Sequence, residues 1–120
     1  RWQMTKSRSK RLPKHLAFVR ENLCMIADVR DDWLHERHND IQKQTCNGPV
    51  QAHHLLKPWI GERGWSMKST DENTVPLCFH HHSQLHHNGA EDAFWEHYNQ
   101  SKDFGRAYAQ RMLRRFNEVL

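Results

Sequence analysis

The chain has 120 residues, a hydrophobic share of 37% and a mean hydropathy of −0.99. This length suits one domain with a modest apolar core, and small domains of that kind often depend on bound metal ions to stay folded. The sequence has no apolar run long enough to span a membrane and no recognisable signal peptide, which argues against an integral membrane protein. A first residue of Arg rather than Met is compatible with a fragment of a longer protein.

The charge distribution favours a polyanionic partner. The formal net charge is +4 with a pI near 9.2. Basic residues concentrate at the two ends of the chain, at Arg1, Lys6, Arg8, Lys10, Arg11 and Lys14 and again at Arg106, Arg111, Arg114 and Arg115. This pattern favours nucleic acid, although charge alone is explained equally well by an ordinary solvated surface with a disordered arm.

The cysteine count bears on the cellular compartment. Cys24, Cys46 and Cys78 are an odd number, which argues against a closed disulfide framework. Reduced thiols that are available for metal binding are typical of the cytoplasm, so we expect a cytoplasmic protein.

The elements predicted from hydrophobic periodicity and turn residues alternate between helices and short strands. The N-terminal part is predicted to contain a basic flexible arm over residues 1–11, a helix over 15–23, a charged helix over 27–43 and a turn at 46–49. The middle of the chain follows with a strand over 50–56, a loop over 58–73 and a strand over 74–77. The C-terminal part is predicted to be a histidine-rich helix from about residue 80, a break at 88–89, and helices over 90–98 and 103–119. In the last helix, apolar residues four apart predict a core-facing side rather than a surface for stacking bases.

The segment 75–89 carries most of the chemistry. Five of the eleven histidines lie between His80 and His87. Residues four apart share one face of a helix, so His82 and His86 can bind one metal ion together. Cys78 and His81 have the spacing of half a zinc knuckle and can serve a second ion.

These residues resemble the HNH endonuclease superfamily, and within it a phage and prophage group with the pattern A-H-H…V-P-L-C-x-x-H-H-x-x-L-H…G. The matching residues are Ala52, His53, His54, Val75, Pro76, Leu77, Cys78, His81, His82, Leu85, His86 and Gly89, with Glu91 and Trp95 downstream. The similarity covers roughly residues 15–97.

The resemblance implies an α+β fold with a small ββα-metal core (a His-Me finger), flanking helices and a structural zinc site. We expect a single nuclease domain over residues 12–120. Its core would span about 46–89, a charged insertion about 25–45, and the C-terminal helices about 90–119. The implied activity is metal-dependent hydrolysis of DNA phosphodiester bonds, giving nicks or double-strand breaks, in the cytoplasm of a bacterium or a phage-infected cell.

The resemblance also implies roles for the histidines. His82 and His86 would be the helix ligands of the catalytic metal, His53 its third ligand, and His54 the general base. Because neighbouring strand residues point to opposite faces, a local twist or bulge would be needed for both strand histidines to reach the site. The reverse assignment, with His53 as base and His54 structural, stays open. Asn73 lies where the superfamily has its central asparagine and would orient the base or brace the loop, unless it is only a turn residue.

A second, structural zinc site would use Cys24, Cys46, Cys78 and His81. The usual N-terminal pair in such sites is C-x-x-C, whereas twenty-one residues separate Cys24 from Cys46. The charged stretch between them is interpreted as an insertion that splits the knuckle. The alternative is that Cys24 is an ordinary buried thiol and the site lacks one ligand.

The expected cofactors are therefore a structural Zn²⁺ and one catalytic divalent metal, Mg²⁺, Mn²⁺, Ni²⁺ or Zn²⁺. Three imidazole ligands favour zinc, nickel or manganese over magnesium. Lys57, Arg63 and Lys68 are candidates for contacts with the DNA backbone, although solvated surface is an equal explanation for each. The group includes nucleases that act with a recombinase filament, so a DNA-processing partner is a candidate. The alternative function is a zinc-stabilised nucleic-acid-binding module without catalysis.

Overall fold

A computed structural model describes residues 11–29, 46–61 and 68–119 of the chain. Most of the basic arm, most of the charged insertion and the candidate DNA contact Arg63 lie outside the described residues. The longer helices are α1 (Pro13–Arg20), α2 (Phe79–Asn88), α3 (Glu91–His97) and α4 (Phe104–Val119). Residues 25–29 are also helical.

Two antiparallel strands form the sheet of the described part. Strand β1 (Val50–His54) pairs with β2 (Thr74–Cys78), and the continuous register sets His53 opposite Val75 and His54 opposite Thr74. Every residue of β2 is buried, as expected for an apolar strand covered on both faces. The register contains no bulge among these ten residues.

A short 3₁₀ turn, Asp71–Asn73, leads directly into β2. The sequence predicts only a loop here. The turn is closed by a hydrogen bond from the Asn73 N–H to the Thr70 carbonyl, and the Thr74 hydroxyl donates to the Asp71 carbonyl. It places Asp71 beside the end of β1.

Helix α2 follows β2 without a loop because Cys78 is its N-cap. The Cys78 thiol sulfur accepts the His81 backbone N–H at 3.5 Å, which satisfies a donor that the first turn of a helix cannot pair internally. The helix ends at Gly89, where a φ of 79° favours glycine and the Gly89 N–H donates to the Leu85 carbonyl at 3.0 Å. The predicted histidine helix and its break are therefore confirmed.

Helices α1 and α4 pack against the sheet, and α3 packs against α2. In α4, Tyr108 and Met112 are buried, and the ring of Phe104 lies 5.5 Å from that of Trp95. The prediction that the apolar side of this helix faces the core is confirmed. The buried apolar side chains form one cluster that includes Val19, Met25, Ile26, Leu55, Val75, Leu77, Leu85, Phe94, Trp95, Tyr108 and Met112.

The observed class is thus a small α+β fold with a two-stranded antiparallel sheet and several helices. None of the described helices combines the length and the apolar character needed to cross a membrane.

Candidate metal centres and a neighbouring histidine

The first candidate metal centre is a cluster of three thiols and one imidazole. The chain after α1 supplies Cys24, the turn before β1 supplies Cys46, and the junction of β2 with α2 supplies Cys78 and His81. The His81 Nδ1 lies 3.6 Å from the Sγ of Cys24, 3.6 Å from that of Cys46 and 3.2 Å from that of Cys78. The four ligand atoms all lie within 4.8 Å of one another.

These separations fit a tetrahedral zinc ion. Zinc–sulfur bonds of about 2.3 Å and zinc–nitrogen bonds of about 2.0–2.1 Å imply ligand atoms roughly 3.6 Å apart in a tetrahedron. Cys24, Cys78 and His81 are buried, and no disulfide joins the three cysteines in the described part of the chain. The cluster therefore has the ligand set, the spacing and the burial of a closed structural site.

The electrostatics of the cluster favour the thiolate that a metal ion needs. A hydrogen bond from Cys46 lowers the pKa of Cys24 to about 3, with further help from His81 and backbone N–H groups, and these effects outweigh the opposing effect of burial. Metal ligation requires deprotonated sulfur. Cys24 is consequently a member of the cluster rather than an isolated buried thiol.

The second candidate centre consists of three histidines. His53 on β1 faces His82 and His86, one helical turn apart on α2. The His53 Nδ1 lies 3.2 Å from the His82 Nε2, and the His82 Nε2 lies 3.0 Å from the His86 Nε2. Metal–nitrogen bonds of about 2.0–2.1 Å at angles between 90° and 110° imply nitrogen separations of roughly 2.9–3.4 Å. The spacing therefore fits a shared ion.

Neighbouring acceptors fix the protonation of two of these rings. The His53 Nε2 donates to a carboxylate oxygen of Glu91 at 2.8 Å, and the His82 Nδ1 donates to the Gln51 side-chain oxygen at 2.6 Å. In the neutral rings the other nitrogens then carry lone pairs. These two lone pairs face each other at 3.2 Å, an arrangement that a proton or a cation between them would stabilise.

The surroundings of His82 disfavour the positively charged form of its ring. Burial, together with the smaller effects of the positive charges of His53, His86, His54 and Lys68, lowers the pKa of His82 to about 4. A neutral His82 is the form that binds metal.

His54 lies outside the cluster and has a carboxylate partner of its own. Its Nε2 donates to one carboxylate oxygen of Asp71 at 2.8 Å, and the other oxygen of Asp71 accepts the Leu12 backbone N–H at 2.7 Å. The His54 side chain keeps 16% of its surface exposed, so solvent reaches it. His54 directly follows His53 on β1, so it neighbours the three-histidine cluster along the strand.

Asn73 braces the loop beside the site. Its side-chain oxygen accepts the Trp59 N–H at 2.7 Å, and its amide group donates to the Ile60 carbonyl and to the Thr70 hydroxyl. Asn73 is fully buried. Among the described residues its amide bonds to the loop and not to His54, so the bracing role is the one that this geometry matches.

Two of the three candidate DNA contacts are described. Lys57 is exposed and donates to Asp92 at 2.6 Å, so its charge is partly compensated. Lys68 is also exposed, and its positive charge helps to lower the pKa of His82.

Asp71 and Gln51 are absent from the sequence-based candidates, and Glu91 is named there without a role. Glu91 is buried and holds three groups together, since it accepts from the His53 ring and from the backbone N–H groups of Leu56 and Lys57. The sequence feature that could have pointed to Glu91 is its position in the first turn of the helix that follows the Asn-Gly break. Asp71 and Gln51 give no such signal.

Comparison of the chain with protein-family models, with curated proteins and with solved structures finds no match.

Proposed function

We propose that the protein is a metal-dependent endonuclease of the HNH type that hydrolyses DNA phosphodiester bonds. The observation that carries the proposal is the grouping of a three-histidine cluster with the spacing for a shared ion and a separate, solvent-accessible histidine, His54, that is held by a carboxylate. Phosphodiester hydrolysis requires both functions, a cation beside the phosphate and a base beside the water.

In this proposal His54 is the general base. Its Nε2 proton is engaged by Asp71, so Nδ1 is the nitrogen available to accept a proton. A water molecule gives one proton to Nδ1 while its oxygen bonds to phosphorus. The bond from phosphorus to the sugar oxygen breaks, that oxygen takes a proton from solvent, and His54 later returns its own proton to solvent.

His53, His82 and His86 would hold a divalent cation. When bound, the cation supplies positive charge to the phosphate oxygens and to the leaving oxygen. Glu91 and Gln51 orient two of the rings so that their lone pairs face the ion. In this assignment His53 is a ligand and His54 is the base. The reverse assignment gives no role to the close approach of the His53 Nδ1 to the His82 ring.

The Cys24, Cys46, Cys78 and His81 cluster would hold a structural zinc ion. It ties the chain after α1 and the turn before β1 to the start of α2. Since α2 carries two of the catalytic ligands, the structural ion would keep the ββα-metal core in register.

DNA is the proposed substrate because the chain is basic and because Lys68 lies exposed beside the histidine cluster. A protein that delivers the DNA, such as a recombinase, remains part of the proposal. A zinc-stabilised binding module without catalysis would use the same thiol cluster and basic residues, but it leaves the three-histidine cluster and His54 without a role.

The test is cleavage of supercoiled plasmid by protein that carries one equivalent of zinc, with magnesium, manganese, nickel or zinc added singly. His54→Ala should lose nicking by about 10²- to 10⁴-fold and should retain its zinc and its fold. His87→Ala is the control, because His87 is exposed on α2, the helix that carries His82 and His86, and lies outside both clusters. It should cleave like the wild type.

Absence of cleavage with every metal, with the fold and DNA binding intact, would favour the binding module or an enzyme that waits for its partner. Equal activity of His54→Ala and the wild type would refute the assignment of the base.

A further inference from the structure

Asp71 makes two short hydrogen bonds whose partners differ in kind. One carboxylate oxygen accepts from the His54 Nε2 at 2.8 Å, and the other accepts from the Leu12 backbone N–H at 2.7 Å. The Leu12 N–H can only donate, whereas either imidazole nitrogen can carry the ring proton. Asp71 is itself 8% exposed, so water competes poorly for these bonds.

We infer that Asp71 is a positioning residue that fixes His54 in the tautomer with its proton on Nε2, and that the Leu12 N–H fixes Asp71. The inference rests on the proposed function, because it concerns how the base of that reaction is prepared. It adds a residue that touches neither the substrate nor the metal ligands.

The charge of Asp71 supports this role. Burial alone would raise the pKa of Asp71, but the hydrogen bonds from Leu12 and His54 and the positive charge of Arg11 outweigh burial and hold its pKa below the usual range. An ionised carboxylate accepts on both oxygens. Both partners therefore meet an acceptor, and in the neutral His54 ring the lone pair is then on Nδ1.

The same geometry makes Asp71→Asn informative. An asparagine has one acceptor oxygen and one donor amide in the places of two acceptors. Because the Leu12 N–H cannot change its role, the oxygen is expected to face Leu12 and the amide to face His54. The ring can satisfy this amide only by moving its proton to Nδ1, and it then cannot take a proton from water.

Asp71→Ala has a different consequence. The alanine removes both acceptors and leaves His54 free to adopt either tautomer, so part of the ring population stays competent. A tautomer-setting role therefore predicts that the asparagine variant is slower than the alanine variant. A merely structural role predicts the opposite order, since asparagine preserves more of the packing and one hydrogen bond.

The experiment compares the wild type, Asp71→Asn and Asp71→Ala, all loaded with zinc, by plasmid nicking and by ¹⁵N spectra of the histidine rings. His54→Ala identifies the His54 signals by their disappearance. We expect the wild-type ring to be protonated on Nε2 and the Asp71→Asn ring on Nδ1. Asp71→Asn should lose roughly 10²- to 10⁴-fold in kcat, with KM and zinc content little changed.

Asp92→Asn is the matched control, because Asp92 is a carboxylate near the site that pairs with Lys57 rather than with a histidine. It should keep the His54 tautomer and the wild-type kcat. An unchanged tautomer in Asp71→Asn, or an alanine variant slower than the asparagine variant, would overturn the inference. If the zinc-loaded wild type cleaves no DNA with any metal, unaided cleavage by this protein is refuted, and the ring spectra still decide whether Asp71 sets the tautomer.

Discussion

The buried carboxylate of Glu91 decides which nitrogen of His53 faces the candidate metal site. Glu91 accepts the Nε2 proton of His53 and two backbone N–H groups of the chain after β1. It thereby leaves the His53 Nδ1 as a lone pair directed at His82. A partner of this kind raises the basicity of a metal-binding imidazole and fixes its orientation.

Glu91→Gln is therefore expected to weaken metal binding at the three-histidine cluster by about 10- to 100-fold. The amide keeps an acceptor for His53 but removes the negative charge and one backbone hydrogen bond. Calorimetric titration of manganese or nickel into zinc-loaded protein measures the effect. Asp92→Asn, the adjacent carboxylate on the same helix, should bind like the wild type, and equal affinities for Glu91→Gln and the wild type would refute this role of Glu91.

His15 is buried and makes stability dependent on pH. Neither of its ring nitrogens has a hydrogen-bond partner among the described residues, and it is 1% exposed. Burial lowers the pKa of His15 from 6.5, although Asp71 and Glu72 act in the opposite direction. Below pH 6.5 the unfolded chain binds a proton that the folded chain binds less readily, so this residue lowers the free energy of unfolding as the pH falls.

His15→Leu should remove that effect. The variant should match or exceed the stability of the wild type at pH 7.5, because it replaces an unpaired buried polar group. Its advantage should grow between pH 6.5 and pH 5, by about 1.4 kcal/mol for each unit by which folding lowers the pKa. Urea denaturation of both proteins at several pH values measures the difference, and a constant difference would contradict the prediction.

The sequence predicted the members of the two side-chain clusters better than it predicted the hydrogen-bond partners of those clusters. The pair His82 and His86 and the pair Cys78 and His81 follow local rules of helix spacing and capping. Asp71 lies seventeen residues from His54 in a segment that the sequence predicts to be a loop. Its contact depends on how β1 and the 3₁₀ turn meet in space, which no local pattern contains.

At the scale of the elements, tight packing between α3 and α4 depends on a glycine. A methyl group on Gly105 would lie 2.7 Å from a ring carbon of Trp95 and 3.0 Å from a methyl carbon of Leu55. Both neighbours are buried, so neither can move freely. Gly105 lets α4 approach the core closely.

Gly105→Ala should destabilise the protein by about 1–3 kcal/mol through overpacking, even though alanine favours the helix by up to about 1 kcal/mol. Gln110→Ala, on the exposed side of α4, is the control and should be nearly neutral. Thermal unfolding of both variants measures the change. A Gly105→Ala protein more stable than the wild type would show that the contact relaxes without cost.

The boundaries of the elements differ from the predictions for identifiable reasons. Strand β1 ends at His54 rather than at residue 56, because the backbone N–H groups of Leu56 and Lys57 donate to Glu91 instead of to a strand. The first helix spans Pro13–Arg20, so it begins at the proline that suits a first helical turn but ends before the predicted residue 23. The chain turns after Arg20 and then reaches Cys24 of the thiol cluster.

At the scale of the whole molecule, the candidate structural zinc site joins segments that are distant in sequence. A closed zinc site can contribute on the order of 10 kcal/mol, which is comparable to the total stability of a domain of this size. The apolar core is modest, so the fold is expected to depend on the ion.

Cys78→Ser separates the two roles of Cys78. Serine keeps a side-chain oxygen that can cap α2 but does not replace the thiolate ligand, so the variant should unfold or melt far below the wild type. Circular dichroism and zinc analysis measure this loss, and chelation of zinc from the wild type should reproduce it. A well-folded, active Cys78→Ser protein would refute the structural assignment.

The most direct test of the account asks whether the two candidate metal sites have separate tasks. The measurement is plasmid nicking by zinc-loaded wild type and His82→Ala during titration of the activating metal, with bound zinc and melting temperature recorded on the same samples. We predict saturable nicking by the wild type and none by His82→Ala, with equal zinc content and similar melting temperatures. Undiminished nicking by His82→Ala, or loss of the structural zinc together with the activity, would contradict the account.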